Sequence, residues 1–206
     1  MSTPPRRHAP HTLRNREPIL AVLQRVLPPA GVLLEIASGT GEHAAFMAPR
    51  LSPGLIWQPS DSRSAALSDI DGHAKDSGCH RIRPAVHLDT TATHWPIDGA
   101  DAVFCANMIH IAPWAAAEGL FAGAARLLKP GAPLILYGPF KRDGQHTAPS
   151  NEAFDAALRS QDPRWGVRCL EADVVPLAER SGFVLAEVVA MPANNLSVIF
   201  RRAQPS

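Results

Sequence analysis

Residues 33–46 read LLEIASGTGEHAAF, and this stretch constrains the chain more than any other. An apolar run broken only by Glu35 leads directly into a turn that carries Gly39 and Gly41, and a helix-forming segment follows. A strand, a glycine turn and a helix in that order open a doubly wound α/β sheet, because the glycines let the backbone reverse tightly and come close to a ligand.

The rest of the chain repeats the alternation. RNREPILAVLQRVLPP reads as an amphipathic helix with Asn15 as a cap and Pro18 in its first turn, stopping before Pro28-Pro29. GVLLEIA is then a strand, His43 to Leu51 a helix, LIWQPS a strand, Ala65 to Lys75 a helix and IRPAVHLD a third strand. DAVFCANMI, Trp114 to Leu128 and APLILYGPF continue as strand, helix and strand. Continuous apolar strands between helices predict a mostly parallel sheet covered on both faces. Helices around 152–159 and 174–181 follow, and FVLAEVVAMPANNLSVIFRR predicts a closing hairpin whose last strand is antiparallel. Residues 1–13, polar and rich in proline, are expected to form an irregular arm, and 14–206 a single domain.

Composition narrows the function classes. Lys plus Arg is 20 and Asp plus Glu 19, a formal net charge of +1, so no global field draws the chain to nucleic acid or to an anionic membrane. No apolar run approaches the roughly 18 residues of a membrane helix. Arg6-Arg7 is not followed by an apolar signal segment, and a cytoplasmic location is expected. The three cysteines form no C-x-x-C pair and the nine histidines no H-E-x-x-H, so no metal site is expected. The expected partner is a small molecule, and the chain a monomer or homodimer.

The glycine turn fits two ligands. Gly39-Thr40-Gly41-Glu42-His43-Ala44 matches the relaxed dinucleotide pattern G-x-G-x-x-A, whereas Glu35-x-x-x-Gly39-x-Gly41 matches the loop of enzymes that use S-adenosyl-L-methionine. Glu35 distinguishes them: a carboxylate there repels a pyrophosphate and attracts the cationic amino group of a methionine moiety. Other polar residues follow the strands. Asp61, with Ser62 beside it, can accept from both hydroxyls of a ribose; Leu88 can cover an adenine and Asp89 accept from its amine; Asn107 and Met108 lie where donor and acceptor would meet.

Taken in order, EIASGTG, WQPSD, ANMIHIAPW and LLKPGAPLILYGPF resemble the successive motifs of class I S-adenosylmethionine-dependent methyltransferases. RNREPIL, SGTGEHA, NMIHI, SNEAFD, DPRWGVR and MPANN narrow the resemblance to a subfamily catalogued as a methyltransferase-like domain of unknown function, over residues 13–202. The resemblance implies a Rossmann-like three-layer sandwich of seven strands with an antiparallel C-terminal hairpin. Ala37 departs from it, standing where glycine is common; alanine fits if its φ stays negative.

The reading is thus a methyltransferase acting on a small-molecule acceptor by in-line displacement, with S-adenosyl-L-methionine as cofactor. Cofactor contacts are expected from Arg16, Glu35, Ser38, Gly39, Gly41, Asp61, Ser62, Leu88, Asp89, Asn107 and Met108. His110 or Tyr137 could take a proton from the acceptor, and Phe140, Asn151, Trp165 and Asn195 could line its pocket. For His110 the competing role is structural, capping the turn before Pro113-Trp114. Two alternatives stay open: an NAD(P)-dependent oxidoreductase using the G-x-G-x-x-A turn, and a non-catalytic module that binds S-adenosylmethionine. A pocket plugged by Trp165 or Phe140 would favour the latter.

Overall fold

The computed structural model describes residues 10–204. Helix α1 (Pro10–Val26) leads into β1 (Ala30–Ile36), α2 (Glu42–Met47), β2 (Gly54–Asp61), α3 (Ser64–Ser77), β3 (Val86–His87) and β4 (Ala102–Ala106). The chain continues through α4 (Trp114–Leu127), β5 (Pro133–Gly138), a short hairpin of β6 (Lys141–Arg142) and β7 (Gln145–His146), and α5 (Pro149–Gln161). A π-turn (Leu170–Val174) precedes α6 (Val175–Arg180), and β8 (Phe183–Met191) and β9 (Asn195–Arg202) close the chain.

Seven strands form one sheet in the order β3-β2-β1-β4-β5-β9-β8, and only β9 runs against its neighbours. Strand order reverses between β1 and β4, which opens a crevice at their carboxyl ends. Alternate residues feed the two faces. Leu33, Phe104 and Ile135 pack with Ile19, Leu23 and Met47 of α1 and α2, while Leu34, Val103 and Leu136 pack with Leu120, Phe121 and Ala178 of α4 and α6. Each face buries large apolar side chains that stabilise by about 1.5–3 kcal/mol apiece, so the sheet is fixed from both sides.

Several boundaries differ from expectation, each for a local reason. Helix α1 starts at Pro10, inside the stretch expected as an irregular arm; residues 1–9 lie outside the described residues. Asn15 is therefore no cap, and Pro18 sits inside the helix, where its missing N–H leaves the carbonyl of exposed Arg14 without its helical donor. The third strand shrinks to Val86–His87 because Pro84 cannot donate to the ladder, although Ile82 still bridges Trp57. The fourth strand stops at Ala106, since Asn107 turns to φ 62 and starts a 3-10 turn over Met108–His110. Pro49 converts the end of the second helix into a 3-10 turn over Ala48–Arg50. The β6–β7 hairpin was not anticipated; Asp143 (φ 49) and Gly144 (φ 78) supply the left-handed pair that a two-residue turn needs.

Candidate functional site

The carboxyl end of β1 is organised around Glu35. Its side chain is buried, and Oε2 accepts from Ser38 Oγ at 2.7 Å and from the Trp57 indole at 3.0 Å. Burial raises its pKa to about 7, against the opposing pull of those two bonds. Ser38 is occupied as well, for its hydroxyl accepts from the Ser60 amide and its own amide donates to the Ser60 carbonyl. Together they clamp the turn to β2. Ala37 takes φ 58, so the condition that it keep a negative φ fails, and the strain of a left-handed alanine, about 1–2 kcal/mol, is carried by this turn.

The two glycines serve different ends. A Cβ on Gly41 (φ 84) would lie 2.7 Å from the Ile70 Cα, so this glycine lets α3 approach the turn. A Cβ on Gly39 (φ 64) would meet nothing within 4 Å, so its face is open. The Gly39 amide donates to Asp61 Oδ2 at 2.9 Å, which joins the open turn to the end of β2.

Asp61 is buried, yet each of its oxygens also faces Arg63: Oδ1 accepts from the Arg63 amide at 2.9 Å and from Nε at 3.1 Å, and Oδ2 lies 3.4 Å from Nη2. The neighbouring carboxylate holds the Arg63 guanidinium above its ordinary pKa. Ser62 is exposed, and its carbonyl meets His87 Nε2 at 2.9 Å. Leu88 is buried in the core beneath α4, and the exposed Asp89 accepts from the amide and hydroxyl of Thr91, as a turn residue does.

Past β4, Asn107 is half-buried in the left-handed region, and Met108 and His110 are buried. His110 Nδ1 lies 3.2 Å from the Arg168 amide, which donates to it, and the ring stands edge-on to Phe140 with centroids 4.8 Å apart. Nδ1 is therefore the acceptor and Nε2 carries the proton, which has no hydrogen-bond acceptor among the described residues. Burial, with the Arg168 charge second, lowers the His110 pKa to about 3. That removes the basicity expected of it, because a buried imidazole cannot take up a charge cheaply. Tyr137 is buried too, and its pKa is raised by burial despite a bond from Asn15 and the charge of Arg14. It is no better as a base. Phe140, expected to line a pocket, is fully buried instead, because packing against His110 removes more apolar surface from water.

The remaining candidates lie on the segments that follow β5. Asn151 is buried and donates to Thr147 Oγ1 and to the Asn194 carbonyl, tying α5 to the β8–β9 turn. Asn195 donates to the Pro192 and Ala193 carbonyls within that turn. Trp165 is half-buried in the loop between α5 and the π-turn, where its amide donates to Asp162. Among the described residues the Arg16 guanidinium lies 4.1 Å over the Phe46 ring of α2, rather than at the turn over 37–41. Sequence reasoning missed Arg168, which donates to the Ile109, Ala112 and Arg164 carbonyls and so fixes the loop after β4. Neither of the two arginines in DPRWGVR offers a sequence signal for that. Among the described residues no three His, Cys, Asp or Glu side chains are grouped to hold a metal ion.

A family model described as "Protein of unknown function (DUF938)" matches residues 6–202. The chain belongs to this family. Among solved structures it is similar to the S-adenosylmethionine-dependent methyltransferase SibL in its apo form, with a TM-score of 0.76 and 22% identity over 94% of this chain and 56% of that one. It is also similar to the mitomycin 7-O-methyltransferase MmcR (TM-score 0.79, 19% identity, 94% and 54% covered). A third similar structure is CalO1, a methyltransferase in calicheamicin biosynthesis in an SAH-bound form (TM-score 0.71, 17% identity, 91% and 54% covered). The DUF938 chain thus spans a little over half the length of these three proteins, and the likeness establishes the fold: a class I methyltransferase, Rossmann-like three-layer sandwich. No helix of the described residues is long and apolar enough to cross a membrane.

Proposed function

We propose that this chain binds S-adenosyl-L-methionine at the carboxyl ends of β1, β2 and β4 and transfers its methyl group to a small-molecule acceptor. The observation that carries the reading is the pairing of an open Gly39 face with the buried Asp61 carboxylate across the β1–β2 ends, at the point where strand order reverses. The fit is chemical: an acid for a ribose diol at Asp61, space for a ligand to lie against backbone at Gly39, and a second acid at Glu35 at the end of the same strand. Glu35 acts through Ser38 and the turn it clamps, and Gly41 keeps that turn close to α3. Ser62 flanks the ribose side, Leu88 and Asp89 the adenine side, and Asn107 with Met108 the sulfur. We read the chain from residue 14 onward as one domain, as its single seven-stranded sheet supports.

The bound cofactor would supply an electrophilic methyl on a sulfonium. The protein's share is alignment and exclusion of water, since in-line displacement needs no dedicated base when the acceptor is already a good nucleophile. His110 and Tyr137 then hold the floor of the crevice and take no proton from the acceptor, in keeping with their burial. Asn151, Asn195 and Trp165, on segments that follow β5, are the candidates for the acceptor side.

The burial of Phe140 against His110 favours a second reading, a non-catalytic module that binds S-adenosylmethionine. The NAD(P) reading gains nothing comparable, for a pyrophosphate on this turn would sit near the Asp61 and Glu35 carboxyls. Calorimetric titration with S-adenosylmethionine, S-adenosylhomocysteine and NAD tests the binding step, with Asp61→Ala as control. Saturable binding of the first two, weakened by the substitution, is the expected result; NAD binding alone would overturn it. A methyl-transfer screen over phenols, amines and carboxylates then separates enzyme from binder.

A further inference from the structure

We infer that the Arg63 guanidinium occupies, in the free protein, the place of the ribose diol and is exchanged for it on binding; this rests on the reading of Asp61 given above. A carboxylate offers about four lone-pair positions. On Asp61 two are taken by backbone, the Gly39 amide on Oδ2 and the Arg63 amide on Oδ1. The other two face the Arg63 side chain, with Nε 3.1 Å from Oδ1 and Nη2 3.4 Å from Oδ2. A cis-diol donating both of its O–H groups to this carboxylate needs those same two positions, one on each oxygen. The backbone bonds belong to the turn and to the start of α3, so only the side-chain pair is free to leave.

Exposure agrees with that division of labour. The Asp61 side chain is 3% exposed while that of Arg63 is 62% exposed, so the guanidinium approaches the buried acid from the solvent side, the side a ligand must also use. The long 3.4 Å contact marks the fork as loosely seated. Releasing it costs little on the cation's side, because the Arg63 guanidinium is already largely in solvent and its pair with Asp61 is screened there. Arg63 thereby keeps a buried carboxylate satisfied when the site holds no nucleoside, and it lowers affinity by the strength of the pair it gives up.

The test is calorimetric titration of S-adenosylhomocysteine into the wild-type protein, Arg63→Ala and Arg63→Lys, at low and high salt. Removing the competitor should tighten binding by about two- to fivefold in Arg63→Ala, the range that a pair with a largely solvated cation allows. Arg63→Lys, which keeps the charge and loses the fork, should fall between. The wild-type affinity should rise with salt relative to Arg63→Ala, because screening weakens the pair. Equal or weaker binding by Arg63→Ala, or identical salt slopes for the two proteins, overturns the inference. If neither protein binds S-adenosylhomocysteine, it is the cofactor reading itself that falls.

Discussion

Asn15 Oδ1 lies 2.9 Å from Nε2 of His43, and this one bond ties the first helix to the helix that follows the glycine turn. A carboxamide oxygen only accepts, so Nε2 donates, and the opposite ring nitrogen, Nδ1, stands 3.8 Å from Glu35 Oε1. Asn15 also bonds to Tyr137 at the end of β5. A polar chain thus runs from β5 through α1 and α2 to β1, beneath the crevice.

Breaking that chain at its centre should be costly. Asn15→Leu removes its bonds to the buried His43 and Tyr137 side chains together, which predicts a loss of about 1–3 kcal/mol in urea unfolding. A change below about 0.5 kcal/mol, the range of ordinary surface substitutions, would mean that the contact is incidental.

The two glycines of the turn should separate on two axes. Gly41→Ala forces a Cβ against the Ile70 backbone and should cost about 2–4 kcal/mol of stability. Gly39→Ala meets no neighbour, so only the left-handed φ penalty of about 1–2 kcal/mol applies, while S-adenosylhomocysteine binding is lost. Denaturation and calorimetry on both variants check this, and a Gly39→Ala protein that binds normally would show that the open face is not used.

Glu35 should make stability fall as pH rises. Its folded pKa of about 7 lies above the ordinary 4.5, so the folded state holds the proton more tightly, and its advantage is full below about pH 4.5 and lost as pH rises through 7. The corresponding cost is about 3 kcal/mol at 1.36 kcal/mol per pH unit. Glu35→Gln keeps an oxygen for Ser38 and Trp57 and should be the more stable protein above pH 7, with the two converging near pH 4.5. Parallel stability curves across that window would contradict it.

His110 carries the opposite sign. Its folded pKa of about 3 lies below the ordinary 6.5, so the unfolded chain binds the proton first, and the stability contributed above pH 6.5 is lost as pH falls toward 3. Its imidazole resonances in an NMR titration should stay fixed from pH 5 to pH 8, with the proton on Nε2. A midpoint near 6.5 would restore it as a base.

The sheet was legible because its signal is redundant: five buried strand runs each carry apolar residues for two faces, and no single substitution erases the pattern. Boundaries were not, where one backbone property decides. Pro84 cut a strand to two residues, and Asn107 ended another by turning left-handed. The Asp143-Gly144 pair is a turn signal without strand signals around it, since the strands it joins are only two residues long and carry no alternation. At the site, the spacing of Gly39 and Asp61 located the crevice, but spacing carries no information on depth. His110, Tyr137 and Phe140 follow strands as ligand residues do, and only their packing, with His110 edge-on to Phe140 in the core, tells them from a residue such as Asp61 that is joined to the open turn. Arg63 was invisible for the converse reason: an exposed arginine at a helix start looks like any other until its partner is known.

The antiparallel position of β9 sets an order on how the molecule can be assembled. Because β9 lies between β5 and β8, the edge of β5 has no in-sheet neighbour until residues 195–202 arrive, and β8 can join only through them. On the ribosome, a nascent chain that has released β1 to β5 therefore presents an open parallel sheet with an unpaired apolar border. That border is a template for strand pairing with another molecule. The half-made protein is the species a chaperone would need to shield, and C-terminal truncation should produce aggregation before it produces a merely weaker binder.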